Sequence, residues 1–311
     1  MPELPEVETI RRGLEKTIIG KKIVDVEVRL PKIISIGPAV VSNIRKNSAV
    51  TAKKFRTLAV GHKIIGVSRR AKMLMIDLSG LPAGRQGPLT ILVHLKMTGQ
   101  MIFAKKGEKK AVKIFNALNS RRETLPHQYT HVIFKFSDGS HLYYNDIRQF
   151  GYLRLVRDQD LEHVRELAEY GPEPDDKKFT VQYFMDKAMT RPKLSIKQFL
   201  MDPKIVAGIG NIYSDEILYW AKIRPARVLR SLDLADFSAI YRAVPKVLKG
   251  ALKAGGSSVG DFFRVDGSEG HYGRVHMVYG RYGENCRVCG EEIMRVKLGG
   301  RTGSYCPHCQ K

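Results

Sequence analysis

The chain has 311 residues, 43% of them hydrophobic, enough for two globular domains with cores of their own. Lysine and arginine outnumber aspartate and glutamate by 53 to 31, a formal net charge of +22, which points to a polyanionic partner: nucleic acid first, an anionic membrane surface second. No run approaches about eighteen uncharged apolar residues, no basic amphipathic helix dominates, and Glu3, Glu6 and Glu8 precede any basic residue, so a membrane span and a secretory signal are excluded and a cytosolic protein is expected.

The chain opens Met1-Pro2-Glu3-Leu4-Pro5-Glu6. Removal of the initiator, which a small second residue permits, leaves a secondary amine beside a carboxylate. An α-amino group of pKa roughly 7.7–8.0 is partly neutral at cellular pH and can attack a carbonyl-like carbon to form an iminium. The plainer reading is that Pro2 and Pro5 start a helix whose dipole Glu6 and Glu8 complement. Val7, Ile10, Leu14 and Ile18, closed by Gly20, predict that helix. From Lys22 to Ser79 short β-branched runs, residues 23–28 among them, predict an antiparallel sandwich or barrel whose strands continue to about Leu155. The stretch 81–88 reads as a loop. Residues 104–125 read as a second irregular segment carrying Lys105, Lys106, Lys109, Lys110, Lys113, Arg121 and Arg122 against Glu108 and Glu123, either a solvated loop or extra affinity for a polyanion. Helix is predicted from Asp160, with Leu161, Val164, Leu167 and Ala168 on one face, then an interdomain hinge at 171–176 and helix throughout Val181–Ala254. The last sixty or so residues return to short strands around the cysteines.

Five stretches carry chemistry. Cys286-x2-Cys289 and Cys306-x2-Cys309, sixteen residues apart, match a four-thiolate zinc ribbon, a closed and therefore structural site for one zinc ion; a redox dithiol needs only one such pair. The ribbon fixes a hairpin over 296–305 that presents Lys297 and Arg301, an arginine suited to gripping phosphate. Gly208-Ile209-Gly210-Asn211-Ile212-Tyr213 opens a helix where backbone N–H groups and the dipole suit a phosphate, or is an ordinary helix-helix turn with Asn211 as N-cap. Met97, in His94-Leu95-Lys96-Met97-Thr98-Gly99, and Phe150, in Asp146-Ile147-Arg148-Gln149-Phe150-Gly151, are core residues or apolar wedges for a base stack, with Arg148 and Phe150 pointing the same way along a strand. Lys72, in Arg69-Arg70-Ala71-Lys72, begins another strand and approaches phosphate or faces water.

Taken together, these motifs resemble, in order and from end to end, the formamidopyrimidine-DNA glycosylases, bacterial repair enzymes that are both glycosylases and abasic-site lyases. The resemblance implies an α+β chain: an N-terminal helix and antiparallel β-sandwich at 1–157, a linker helix and hinge at 158–178, a helix-two-turn-helix module with a lesion-capping loop at 179–274, and a zinc ribbon at 275–311. It implies that Pro2 attacks the sugar C1′ and displaces the base, after which β- and δ-elimination nick the strand. Glu3 is then the general acid/base, Lys72 the proton donor in β-elimination, Arg301 the phosphate-gripping residue linked to δ-elimination, and Glu6 a support of the active centre. Met97, Arg148 and Phe150 fill the gap left by the extruded nucleotide, which a nucleophile tethered at a chain end requires to leave the stack. Asn211 holds a phosphate, with Arg191 and Lys193 as further candidates. The segment 255–272 is similar to the loop that closes over the lesion in that family.

Three features depart from the family's pattern: Lys96 stands where glycine or arginine is usual, the 104–125 segment is longer, and Tyr129 falls where many members place a DNA-contacting histidine. The expected substrate is duplex DNA carrying oxidised purines, 8-oxoguanine and formamidopyrimidines, handled by a cytoplasmic monomer. An endonuclease VIII-like enzyme for oxidised pyrimidines is the alternative, although Leu4 stands against its usual Pro-Glu-Gly-Pro start; a non-catalytic zinc-ribbon binder is the other, and Pro2, Glu3 and Lys72 together speak against it.

Overall fold

A computed structural model describes residues 2–39, 48–81, 87–116, 119–260 and 262–311. It divides into two compact units, one of residues 6–168 and 255–270 together with the chain start through Pro2, the other of residues 3–5, 169–254 and 271–311. Most of the loop predicted at 81–88 lies outside the described residues.

The first unit begins with α1 (Leu4–Ile18), whose first turn counts with the second unit. Val7, Ile10, Leu14 and Ile18 recur at helical spacing and are all fully buried, so the predicted stripe is the face that enters the core, and Gly20, at φ +80°, ends the turn beyond the helix. There follow β1 (Ile23–Val28), β2 (Ile34–Ile36), α2 (Ala49–Ala59), β3 (Ile64–Arg70), β4 (Met73–Leu78), β5 (Leu89–His94), β6 (Gly99–Ala104), β7 (Ala111–Asn116), β8 (Asn119–Thr124), β9 (Thr130–Phe136), β10 (His141–Asp146), β11 (Tyr152–Arg157) and α3 (Arg165–Ala168). One sheet runs β1-β9-β10-β6 and the other β2-β11-β5-β4-β3, every pair antiparallel except β2 with β11. Their facing apolar rows and the α1 stripe form one core, the predicted sandwich.

Three expectations need correction here. The run 22–79 is not all strand: α2 forms where Ser48 accepts the Thr51 N–H at 3.1 Å and Ala52, Phe55 and Ala59 fall on one buried face. Residues 104–125 are not irregular but contain the β7–β8 hairpin, because Val112 and Ile114 alternate with polar neighbours and are buried. Near Asp160 only 3-10 turns (158–163) and the single turn α3 form, since extended backbone at Val164 interrupts them; Val164 nevertheless packs on Met73, Leu92 and Tyr152, with Leu161 and Leu167 beside it, as their spacing suggested.

The second unit contains α4 (Val181–Met189), α5 (Ile196–Met201), α6 (Asn211–Trp220), α7 (Leu234–Lys253) and the hairpin β12 (Met294–Leu298) with β13 (Arg301–Tyr305). Helix is not continuous from Val181 to Ala254: Pro203, Gly208 and Gly210 break α5 from α6 with two turns, the helix-two-turn-helix arrangement. Helix α6 is buried along Ile212–Tyr219, on all faces, and α7 starts in a capping box between Asp233 and Asp236. No helix among the described residues is long and apolar enough to cross a membrane.

Candidate active site and nucleic-acid interface

Pro2 is buried at the start of α1. Glu3, 1% exposed, turns its carboxylate onto the N-terminus of α6, where one oxygen accepts the N–H groups of Gly210 and Tyr213 (2.7 and 3.3 Å) and the other that of Ile212 (2.8 Å). The helix dipole there complements a negative charge. Leu4 N–H donates to the Gly208 carbonyl at 3.0 Å, and a Cβ on Gly208, at φ +101°, would lie 2.5 Å from Leu4 Cδ1, so glycine is required for the approach. This corrects both readings of the turn. Its amides hold the carboxylate of Glu3, and the N-cap position is Gly210, with Asn211 the first helical residue. Asn211 is half-buried, and its side chain bonds the Tyr279 hydroxyl while its Oδ1 is buried without a hydrogen-bond partner. Sequence reasoning gave Tyr279 no role; nothing local marks it.

Glu6, also 1% exposed, accepts the Ser257 N–H at 2.8 Å, which ties it to the 255–270 loop. Glu8 pairs with Arg11, Arg12 and Arg69 at 3.0, 2.8 and 3.1 Å. Burial opposes its charge, but the hydrogen bonds from these three arginines outweigh that and bring its pKa down to about 2.

Lys72 does not begin a strand. It is the second residue of the two-residue turn between β3 and β4, after Ala71 at φ +54°, and is half-buried. It stands near His94 at the end of β5, whose pKa is held well below the usual 6.5 by burial first and then by Lys96 and Lys72. The ring is therefore neutral, and its Nδ1 accepts the Lys96 N–H at 3.0 Å.

Met97, Arg148 and Phe150 are brought together. The Arg148 guanidinium lies over the Phe150 ring, 4.7 Å from its centroid, and Nη1 reaches Met97 Sδ at 3.0 Å. Arg148 is exposed, Phe150 is 44% exposed and Met97 half-buried, so none is a core residue. Arg148 and Phe150 lie in a bend after β10 and not on a strand. The bend is shaped by Asp146, fully buried: it accepts from the Thr98 hydroxyl, from the N–H groups of Arg148 and Gly151 (3.2 and 2.7 Å) and from the Tyr144 hydroxyl (3.4 Å). Tyr129 is half-buried, edge-on to His127, and its carbonyl accepts the Asp146 N–H at 3.0 Å. Within the basic stretch, Lys110, Lys113 and Arg121 are engaged by Glu108, Glu269 and Glu123.

The sulfurs of Cys286, Cys289, Cys306 and Cys309 all lie within 4.8 Å of one another; the Cys286–Cys309 and Cys289–Cys306 separations are 3.9 and 3.5 Å. Four thiolates at about 2.3 Å from a tetrahedral zinc stand about 3.8 Å apart, so the set fits one zinc ion and offers no open position for catalysis. Arg301 is exposed at the start of β13, after Gly299 and Gly300 at φ +53° and +75°. The hairpin is anchored by Ser304 N–H to Asp215 at 3.0 Å, and Asp215 by the fully buried Lys197 at 2.5 Å. Burial raises Asp215 to about 7 and lowers Lys197, each against the pull of its partner. One residue on, Glu216 accepts the N–H groups of Met277, Val278 and Tyr279 at 2.9, 3.0 and 2.9 Å, and the Tyr219 hydroxyl touches Cys286 Sγ at 3.7 Å. Of the remaining candidates, Arg191 pairs with Asp202 and Lys193 is exposed.

Three family models match: the formamidopyrimidine-DNA glycosylase N-terminal domain over residues 1–153, the H2TH domain of the same enzymes over 170–262, and a zinc finger found in FPG and IleRS over 283–311. Among curated proteins, the formamidopyrimidine-DNA glycosylase of Carboxydothermus hydrogenoformans is 38% identical over 311 residues, 100% of both chains, and that of Listeria monocytogenes 36% over the same span. Among solved structures, a Lactococcus lactis FPG mutant bound to Fapy-dG-containing DNA aligns with a TM-score of 0.81 at 30% identity over 100% of both chains. The wild-type Lactococcus lactis FPG bound to DNA containing an oxidised pyrimidine aligns with 0.80 at 31%, again over 100% of both.

Proposed function

Because the chain belongs to the formamidopyrimidine-DNA glycosylase family, we propose that its buried N-terminal end is the reacting centre and that Pro2, freed of Met1, is the nucleophile. The activity is base-excision repair: removal of oxidised purines, 8-oxoguanine and formamidopyrimidines, from duplex DNA, followed by abasic-site cleavage, with one structural zinc. In the first step the bond from the Pro2 nitrogen to C1′ forms as the glycosidic bond breaks, and the base leaves with the electron pair and takes up a proton. The C1′–O4′ bond then breaks, O4′ keeping the electron pair and taking up a proton, and the nitrogen lone pair closes a C1′=N iminium; this acidifies C2′, so that loss of a C2′ proton with the 3′ phosphate oxygen, then of the 5′ phosphate oxygen, β- and δ-elimination, opens the strand. Glu3, next in the chain, moves protons to the opening sugar and during elimination. Lys72 donates a proton in β-elimination, Arg301 grips phosphate, and Glu6 supports the centre. Asn211, Arg191 and Lys193 hold phosphate and Tyr129 contacts DNA, while Met97, Arg148 and Phe150 occupy the vacated place in the stack. The functional division we propose is 1–157, 158–178, 179–274 and 275–311, and the place of action is the bacterial cytoplasm, on nucleoid DNA.

The observation that best supports this reading is the fixing of Glu3, one residue from the amine, by three backbone N–H groups. The test is borohydride trapping on duplexes carrying 8-oxoguanine opposite cytosine or thymine glycol. An adduct lost in Pro2→Gly and stronger on the first duplex is expected; full activity with Met1 still attached refutes the nucleophile. A second reading, preference for oxidised pyrimidines, is kept because a relative at 31% identity was solved on such DNA; stronger trapping on thymine glycol would favour it.

A further inference from the structure

The stretches 255–260 and 262–270 leave and rejoin the first unit at feet that touch: a Cβ on Gly270 would lie 2.4 Å from the carbonyl oxygens of both Gly255 and Gly256. Ser258 Oγ staples them from inside, donating to the Phe262 carbonyl and accepting the Gly270 N–H, each at 2.8 Å. From outside, Glu6 holds the rising half through Ser257. The descending half is held by β6 and the β7–β8 hairpin. Phe103 N–H donates to the Val265 carbonyl at 2.9 Å, and Phe263, 1% exposed, packs in a cluster with Val112 and Leu125. A Cβ on Gly267 would touch Val112 Cγ1 at 3.5 Å, and Lys113 Nζ pairs with Glu269 at 3.2 Å. Between the two sets of anchors the crest is open: Val259 is 54% exposed, and a Cβ on Gly260 would meet nothing within 4 Å.

We propose that the β7–β8 hairpin is the support of this loop, and that Val112 and Lys113 act through it as positioning residues for base removal but not for cleavage at a site that has already lost its base. The proposal rests on the reading that the loop covers the extruded base. A crest that touches only the base contributes nothing where the base is absent. Loosening one foot lowers the population of the closed loop, and the rate of base release falls by that fraction. The ion pair is about one-third exposed on each side and is a minor anchor beside the apolar contact of Val112 with Phe263.

The experiment is single-turnover kinetics at saturating enzyme on two duplexes, one with 8-oxoguanine opposite cytosine and one with a preformed abasic site. Val112→Ala and Glu269→Lys are expected to slow base release about three- to tenfold while abasic nicking stays within about twofold, and Lys113→Glu with Glu269→Lys, which rebuilds the pair with charges exchanged, to recover at least about half of the loss. An equal fall on both duplexes, no fall on either, or no recovery in the double variant overturns the proposal. Glu269→Lys is a surface change, so the question survives any folding defect in Val112→Ala. Failure of the parent protein to form a borohydride adduct with either duplex overturns the underlying reading instead; where adducts form, the ratio of the two rates judges the hairpin alone.

Discussion

Replacing Glu3 by Gln separates what this side chain does for the fold from what it does for the chemistry. The two carboxylate oxygens take three N–H groups, Gly210 and Tyr213 on one and Ile212 on the other. An amide has one oxygen and one NH2. In its better orientation it keeps the first pair, now without charge, and sets NH2 against the Ile212 N–H. One bond to a charged acceptor is lost, at about 1.5–3 kcal/mol, and two are weakened, so the variant should be less stable by about 2–4 kcal/mol. In a chain of this size that is a fall of about 3–6 °C in Tm. If Glu3 also moves protons, the rate of borohydride-trapped adduct should drop by about 10²–10⁴ while binding of a duplex with an uncleavable abasic analogue falls much less. Differential scanning calorimetry, trapping kinetics and a binding titration read the three quantities. A Tm within about 2 °C of the parent would refute the carboxylate's place on α6, and an unchanged adduct rate would refute its role in proton transfer.

Three further outcomes are expected. Asp146→Ala takes the acceptor from the Thr98 and Tyr144 hydroxyls and the Gly151 N–H, while the Arg148 N–H keeps only its bond to Thr98 Oγ1 at 3.0 Å; it should cost about 3–5 kcal/mol in denaturant unfolding, and should weaken binding to abasic DNA more than to undamaged duplex; equal weakening of both would rule out a role in placing Arg148 and Phe150. Stripping zinc with a strong chelator should change the fluorescence of Trp220, the single tryptophan, beside Tyr219 and near Cys289 and Cys309, in step with loss of DNA binding, and an unchanged spectrum with binding lost would disprove the link. Glu8, with an ordinary value of 4.5 lowered to about 2 in the fold, contributes up to about 3 kcal/mol that is complete above pH 4.5 and lost as the pH falls through about 2. Urea unfolding at pH 2.5 and 6 should therefore differ less in Glu8→Gln than in the parent.

Much of the fold was legible because it is written in local periods. The α1 stripe and the paired Cys-x2-Cys spacing need no distant residue to be recognised, and both are present in the structure. The β7–β8 hairpin is hidden in the sequence because charge dominates Lys105 through Lys113, while the period-two pattern of Val112 and Ile114, both buried, spans too few residues to stand out. Helix α2 was missed because it lacks an acidic first turn and sits among β-branched runs. The turn before α6 was recognised as an anion cradle, yet its occupant, Glu3, lies more than two hundred residues earlier in the chain, and no local rule connects the two. Arg148 and Phe150 were correctly paired, but by strand alternation; what aligns them is a buried aspartate and a cation over a ring.

Helix α6 is joined to its surroundings by consecutive carboxylates and a phenol: Asp215 to the β13 backbone, Glu216 to the chain at 277–279, Tyr219 to a cysteine sulfur, and its own first turn to Glu3. No face of it is left for drift, so a chimera that imports the C-terminal finger of a relative without importing that relative's version of this helix would sever several of these ties at once. The helix and the finger are matched to one another, and protein engineers who wish to alter how this enzyme grips its substrate must change the two together and keep the helix's fit to Glu3.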